Sequence, residues 1–114
     1  MHEASIALSI INIAEEHCKK AGFSKIQSIG VKIGSASGVL PSALLFAFDV
    51  AKDGSRANDA SLVIEEVPLG GDCRSCKRGF TAEGPFVLEC PLCGGSNFTI
   101  STGRELDLTD IEVA

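Results

Sequence analysis

Four of the five cysteines stand in two pairs, Cys73-Arg74-Ser75-Cys76 and Cys90-Pro91-Leu92-Cys93, with the spacing C-x2-C-x13-C-x2-C. Two residues between sulfurs let one tight turn offer both to a single ion. Two such turns complete a tetrahedral four-thiolate shell, with zinc–sulfur bonds near ~2.3 Å. Gly94, directly after Cys93, lets backbone amides point at the thiolates. All four positions of the shell are filled, so neither water nor substrate has a place on the metal and its role is structural. On the cysteines alone a second reading stays open, because the Cys-Pro-x-Cys-Gly turn also suits iron in a rubredoxin-like electron carrier. Rubredoxin-like cores are rich in aromatics, and this segment has only Phe80, Phe86 and Phe98. A thioredoxin-like dithiol fits less well, since it uses one CxxC at a helix N-terminus.

A different metal chemistry stands at Met1-His2-Glu3. The α-amine, the deprotonated amide nitrogen of His2 and its imidazole Nδ1 close fused five- and six-membered chelate rings. The Glu3 amide nitrogen or the Glu3 carboxylate supplies a fourth donor. A planar nitrogen-rich set suits Ni(II) or Cu(II), whereas zinc prefers the thiolates. Three residues at a chain start are a weak signal by themselves. Among the remaining candidates, His17 lies on a helical stripe and reads as a packed or boundary residue. Cys18 reads as a small apolar filler. Asp49, Asp53, Asp59, Glu65 and Glu66 form no paired catalytic arrangement. No phosphate-binding loop, dinucleotide fingerprint or nucleophile elbow is present.

The elements that must position these residues follow from periodicity. Residues 2–21 carry Ile6, Ile10, Ile13 and His17 at helical steps, flanked by Ala7, Ile11, Ala14 and Cys18, and Gly22 stops the helix. Lys25–Gly34 alternates as a strand. Pro41 opens a second helix whose stripe is Leu44, Phe48 and Ala51, widened by Leu45 and Ala47, and Gly54 closes it. Leu62–Val67 is a second strand. From Pro68 to Gly95 the chain holds all four paired cysteines, three of four Pro and six of the twelve Gly, with little periodicity. Such a knob must be stapled by its metal. Phe98–Ile100 and Arg104–Val113 are strand-like again. Leu106 and Leu108 are out of phase with Ile111 and Val113, which predicts a bulge or turn near Thr109-Asp110. The expected fold is α+β: two helices packed on a small three-stranded sheet, with an inserted four-cysteine zinc-ribbon domain. The expected division is residues 1–69 plus 101–114 as one domain and 70–100 as the zinc domain.

Composition narrows the function classes. The 114 residues carry a net charge of −5, and the chain has no Trp and no Tyr. A nucleic-acid binder needs a net basic face and stacking aromatics, so none is expected as partner. No run approaches the ~20 apolar residues of a membrane span, and the start has no basic leader segment. Paired cysteines without a secretory signal suit a reducing cytoplasm.

Taken together, the chain resembles the HypA/HybF family of hydrogenase/urease nickel-incorporation proteins. The resemblance rests on Met1-His2-Glu3-Ala4-Ser5-Ile6, on Gly38-Val39-Leu40-Pro41 running into Leu45-Phe46-Ala47-Phe48, and on Leu62-Val63-Ile64-Glu65 with Pro68. It continues through both CxxC pairs to Gly103-Arg104-Glu105-Leu106 and Ile111-Glu112-Val113. It implies a non-enzymatic nickel metallochaperone. Ni(II) is then held by Met1, His2 and Glu3, and Zn(II) by Cys73, Cys76, Cys90 and Cys93. The implied partners are a HypB-type GTPase and the [NiFe] hydrogenase large-subunit precursor, with urease maturation proteins for some relatives. The rival reading is a zinc-ribbon protein-interaction adaptor without nickel function. Departures from the family pattern are Leu40-Pro41-Ser42, where an acidic residue often follows Pro, and Lys77-Arg78, where Gly commonly follows the second cysteine. Gly54-Ser55 replaces the usual Gly-Thr, and no His lies beyond His17.

Overall fold

The computed structural model describes residues 2–114; Met1, a predicted nickel ligand, lies outside the described residues. The element order is α1 (Glu3–Lys20), β1 (Ile26–Gly34), α2 (Pro41–Ala51), β2 (Ser61–Val67), β3 (Leu69–Cys73), β4 (Gly79–Ala82), β5 (Phe98–Thr102) and β6 (Leu106–Val113). They form two three-stranded sheets, β2-β1-β6 and β4-β3-β5. The α+β class with its four-cysteine insertion is therefore observed. The chain divides into two compact units. One takes in the chain up to Lys32 with Val39–Glu65 and Asp107–Ala114; the other is Ile33–Gly38 with Glu66–Leu106.

In the first unit, α1 buries Ile6, Ala7, Ile10, Ile11, Ala14 and Cys18. The apolar arc is centred nearer Ala7, Ile11, Ala14 and Cys18 than the stripe read from sequence. Ile13 at its rim is 46% exposed, and His17 is exposed too. His17 borders an open groove along β6 with Leu108 to Ile111, as a boundary residue rather than a packed one. The helix ends in a Schellman motif. Phe23 N–H donates to the Cys18 carbonyl and Gly22 N–H to that of Lys19, both at 3.0 Å, and Gly22 takes φ +81°. Only glycine does this without strain. The Cys18 thiol donates to the Phe23 carbonyl at 3.4 Å, so it seals this turn from beneath.

The sheet β2-β1-β6 carries an irregularity on both β1 and β6. Just beyond one end of the two strands Lys25 and Ala114 exchange both backbone hydrogen bonds, and at the other end Gly34 N–H donates to the Glu105 carbonyl, nine positions on in each segment. In an antiparallel ladder, bonded pairs recur every two residues, so an odd step on each strand requires one extra residue on each. Burial shows where they are. Ile26 is three residues from Ile29, which continues as Ile29, Val31, Ile33. Leu108 is three residues from Ile111, with Thr109 and Asp110 both exposed between. The bulge predicted near Thr109-Asp110 is thus present, and a second one in β1 accompanies it. Gly30 accommodates it, because a Cβ there would collide with the Asp110 carboxylate and come within 3.0 Å of Thr109 Oγ1.

α2 begins at Pro41, where the absent N–H costs nothing. It buries Leu44 and Phe48 completely. Leu45, read from sequence as widening the buried stripe, is 41% exposed; the helix is covered on one side only.

In the second unit β3 pairs antiparallel with β4, Leu69 opposite Ala82 and Asp72 opposite Gly79. It also pairs antiparallel with β5, Cys73 opposite Phe98, with a register shift at Gly70/Gly71. Neither β3 nor β4 was visible as periodicity. Gly70 and Gly71 occupy β3 because Thr99 and Thr102 crowd the positions where side chains would stand. Gly103, at φ +112°, has the Leu69 Cα 2.6 Å from where a Cβ would stand. Both its conformation and its surroundings demand glycine.

Candidate metal centre

The four paired cysteines are delivered by two turns of the second unit. The first turn joins β3 to β4. Cys73 ends β3, and its N–H donates to the Arg78 carbonyl at 2.9 Å. Closing this turn puts Lys77 in the left-handed region at φ +57°, the one non-glycine residue there among the described residues. The second turn mirrors it. Cys90 N–H donates to the Gly95 carbonyl and Gly94 N–H to the Cys90 carbonyl, each at 2.8 Å, with Gly94 at φ +76°. Arg74 N–H on the Asn97 carbonyl, at 2.8 Å, ties the first turn to the strand after the second. Beneath them lies a small core of Cys73, Phe80 and Cys90, joined by Cys76, Val87, Phe98 and Ile100. Phe80 and Phe98 meet edge to face at 5.7 Å.

The sulfurs converge. All four Sγ atoms lie within 4.8 Å of one another. Cys73 and Cys93 are 3.6 Å apart, and Cys76 and Cys90 are 3.9 Å apart. A regular tetrahedron of zinc–sulfur bonds of ~2.3 Å has sulfur–sulfur edges of ~3.8 Å, so the donor set fits zinc. Backbone amides complete the cage: Leu92 N–H points at Cys90 Sγ and Gly95 N–H at Cys93 Sγ, both at 3.4 Å. The thiols are correspondingly uneven. Cys73 is lowered to about 6, first by the Cys76 backbone amide and then by that of Ser75, against the opposing effect of burial. Cys93 is pushed up to about 11. The Gly95 amide favours its thiolate, but the Cys73 sulfur, burial and the other two sulfurs hold its proton on. One thiolate is thus ready near neutral pH, and a bound cation would draw off the remaining protons.

The predicted nickel residues lie in the other unit. His2 is the N-cap of α1, exposed, with extended backbone and no side-chain cap bond, and its carbonyl accepts from Ile6 N–H at 3.2 Å. Glu3 opens the helix. Its carboxylate accepts the backbone N–H of Leu40, the N-cap of α2, at 3.4 Å. Its carboxyl is held below the usual range by its own backbone N–H first, then by that of Leu40, with a smaller effect of the neighbouring His2. Among the described residues the four cysteines are the only gathered group of three or more metal-binding side chains. The Leu40 amide had no signal in the sequence, because a backbone N–H carries none.

The family model for "Hydrogenase/urease nickel incorporation, metallochaperone, hypA" matches residues 1–113. The chain belongs to the HypA family. Its relatives include the hydrogenase maturation factor HypA of Roseiflexus sp. (strain RS-1), 43% identical over 98% of this chain and 91% of the relative. That of Chloroflexus aggregans is 40% identical over 98% of each chain. Among solved structures, that of the Ni metallochaperone HypA from Helicobacter pylori shares 32% identity and superposes with TM-score 0.67, covering 99% of this chain and 97% of that one. A second HypA solution structure superposes at 0.72 with 31% identity. HypA proteins are nickel metallochaperones of hydrogenase maturation, carriers rather than enzymes, and the four-cysteine centre here is of the kind that holds structural zinc. Among the described residues, no helix is long and apolar enough to cross a membrane.

Proposed function

We propose that this chain captures Ni(II) at Met1, His2 and Glu3 and delivers it to the [NiFe] hydrogenase large-subunit precursor in the cytoplasm. In this reading residues 1–69 with 101–114 do the nickel work. Residues 70–100 hold Zn(II) through Cys73, Cys76, Cys90 and Cys93, and a HypB-type GTPase assists. The full-length match to a nickel-incorporation family carries the reading. The local structure supports it. His2 is exposed and its imidazole makes no cap bond, so it can turn to a metal. Glu3 stands at the first helical position, where the N–H has no backbone acceptor and is engaged only by its own carboxylate, so it can be given up to a metal. Its carboxylate already serves the Leu40 N–H, which favours the Glu3 amide nitrogen as fourth donor over the carboxylate. That leaves a planar set of nitrogens, the geometry Ni(II) prefers. A site at a helix start is open to ligand exchange from solvent, as handover requires.

The deciding experiment is nickel titration of untagged, zinc-loaded protein, with metal analysis and visible absorption. A form extended by one residue before Met1 and a His2→Ala variant run beside it. One Ni per chain with a weak planar d–d band, lost in both altered forms, is the expected result. Equal nickel binding by all three forms would refute the terminal site and leave the zinc-ribbon adaptor.

A further inference from the structure

The nickel reading above leaves open where the receiving protein sits, and α2 offers a surface for it. On the side of α2 away from its buried Leu44 and Phe48, Phe46 and Val50 are 73% and 64% exposed, with Leu45 at the flank 41% exposed and Leu40 at the helix start 65% exposed. Phe46 and Val50 are one turn apart, hence neighbours on the helix surface. At roughly 150–200 Å² for a fully exposed large side chain, Phe46, Val50 and the flanking Leu45 present about 300 Å² of apolar surface. Apolar patches of about that size on monomers are often functional. A stable dimer buries about 800 Å² per partner, so this face supplies less than half of what a permanent second copy would need. Its size suits a contact that forms and dissolves. Its electrostatics are anionic. Lys52 is occupied by Asp49 at 3.4 Å and the Ala60 carbonyl at 3.0 Å, while Asp53 has no ion pair among the described residues. Its place is equally telling: the N-cap of the same helix, Leu40, donates its N–H to the Glu3 carboxylate.

We propose that the outer face of α2 docks the protein that receives the nickel ion. That partner presents an apolar hollow with a basic rim, and brings its own metal-binding side chains within reach of His2. The inference rests on the nickel reading, but the face can be tested separately from it. Two measurements use the full-length zinc-loaded chain and purified, nickel-free large-subunit precursor as probe. The first is binding by fluorescence anisotropy with no nickel present. The second is the rate of nickel transfer from the loaded chain at low precursor concentration. Phe46→Asp and Val50→Asp are the test variants, and Leu88→Asp in the zinc-binding unit is the control. The expected result is a loss of about tenfold or more in both measurements for the two α2 variants. Nickel and zinc contents stay unchanged, and the control behaves as wild type. Transfer and binding unaffected by both α2 variants overturn the proposal. So does a wild-type dimer in sedimentation that Phe46→Asp splits, or a loss confined to binding of the GTPase. Nickel-free binding that depends on Phe46 upholds the face even where nickel titration of the chain fails, so the two readings can fail apart.

Discussion

The thiols of Cys73 and Cys93 are driven in opposite directions although their sulfurs are 3.6 Å apart. The difference has a measurable consequence. Metal binding must remove whatever protons the thiols still carry. At pH 8 Cys73, titrating at about 6, has already lost its proton, whereas Cys93, at about 11, keeps it. Zinc uptake at pH 8 should therefore release fewer than four protons but at least one. At pH 5, below the Cys73 value, the count should be higher. Calorimetry in buffers of different ionisation enthalpy measures the count, and an identical count at both values would contradict this picture. The stability linkage has a definite sign. A depressed thiol favours the folded state above its ordinary value of 9.0, and that contribution fades as pH falls through about 6. Acid should therefore loosen the metal-free second unit in that window. Cys90→Ser removes a buried ligand, and loss of stoichiometric zinc is expected by metal analysis.

At the scale of elements, left-handed positions divide into those filled correctly and one that is not. Lys77, at φ +57°, is the one non-glycine among the left-handed positions of the described residues. Lys77→Gly should stabilise the zinc-loaded protein by up to ~1 kcal/mol, visible as a rise in Tm, because the left-handed penalty of a side chain disappears. Gly103→Ala should do the reverse and more strongly, since its Cβ would meet the Leu69 backbone. Phe48→Ala, in the fully buried side of α2, should cost about 3–5 kcal/mol in denaturant unfolding. These elements were unequally legible in the sequence. α1, β1, α2 and β2 announce themselves because each buries one face of its own, and a buried face leaves a period. β3 and β4 do not. β3 contains Gly70-Gly71, β4 is four residues long, and both are held by a metal and two phenylalanines rather than by an apolar stripe. In α2 the covered side, Leu44 and Phe48, was legible, but not how narrow it is, because apolar residues surround it. The cysteine spacing forecast the convergence of four sulfurs. The Glu3–Leu40 bond joins residues 37 apart through a backbone amide and was beyond any pattern.

At the scale of the whole molecule, the two units have different sources of order. The first has a core of isoleucines, leucine and phenylalanine. Around its metal centre the second has a core of two cysteines and one phenylalanine with partly buried neighbours, too little to fold on hydrophobic burial alone. A strong chelator should therefore abolish slow amide exchange in β3, β4 and β5 while the amides of α1 and the middle of β1 stay protected. Exchange followed by NMR before and after zinc removal tests this, and loss of protection everywhere at once would show a single cooperative unit instead.

The paired extra residues of β1 and β6 also bear on how the chain can change over generations. Each strand carries one residue beyond a regular ladder, near Gln27-Ser28 and near Thr109-Asp110. Deleting either residue alone would leave the strands mispaired by one, and part of one strand would turn its isoleucines outward. Deleting both restores a regular ladder. Gaps at these two places, more than eighty residues apart in the chain, should therefore be inherited together, and a chain lacking either residue alone should unfold more readily than one lacking both.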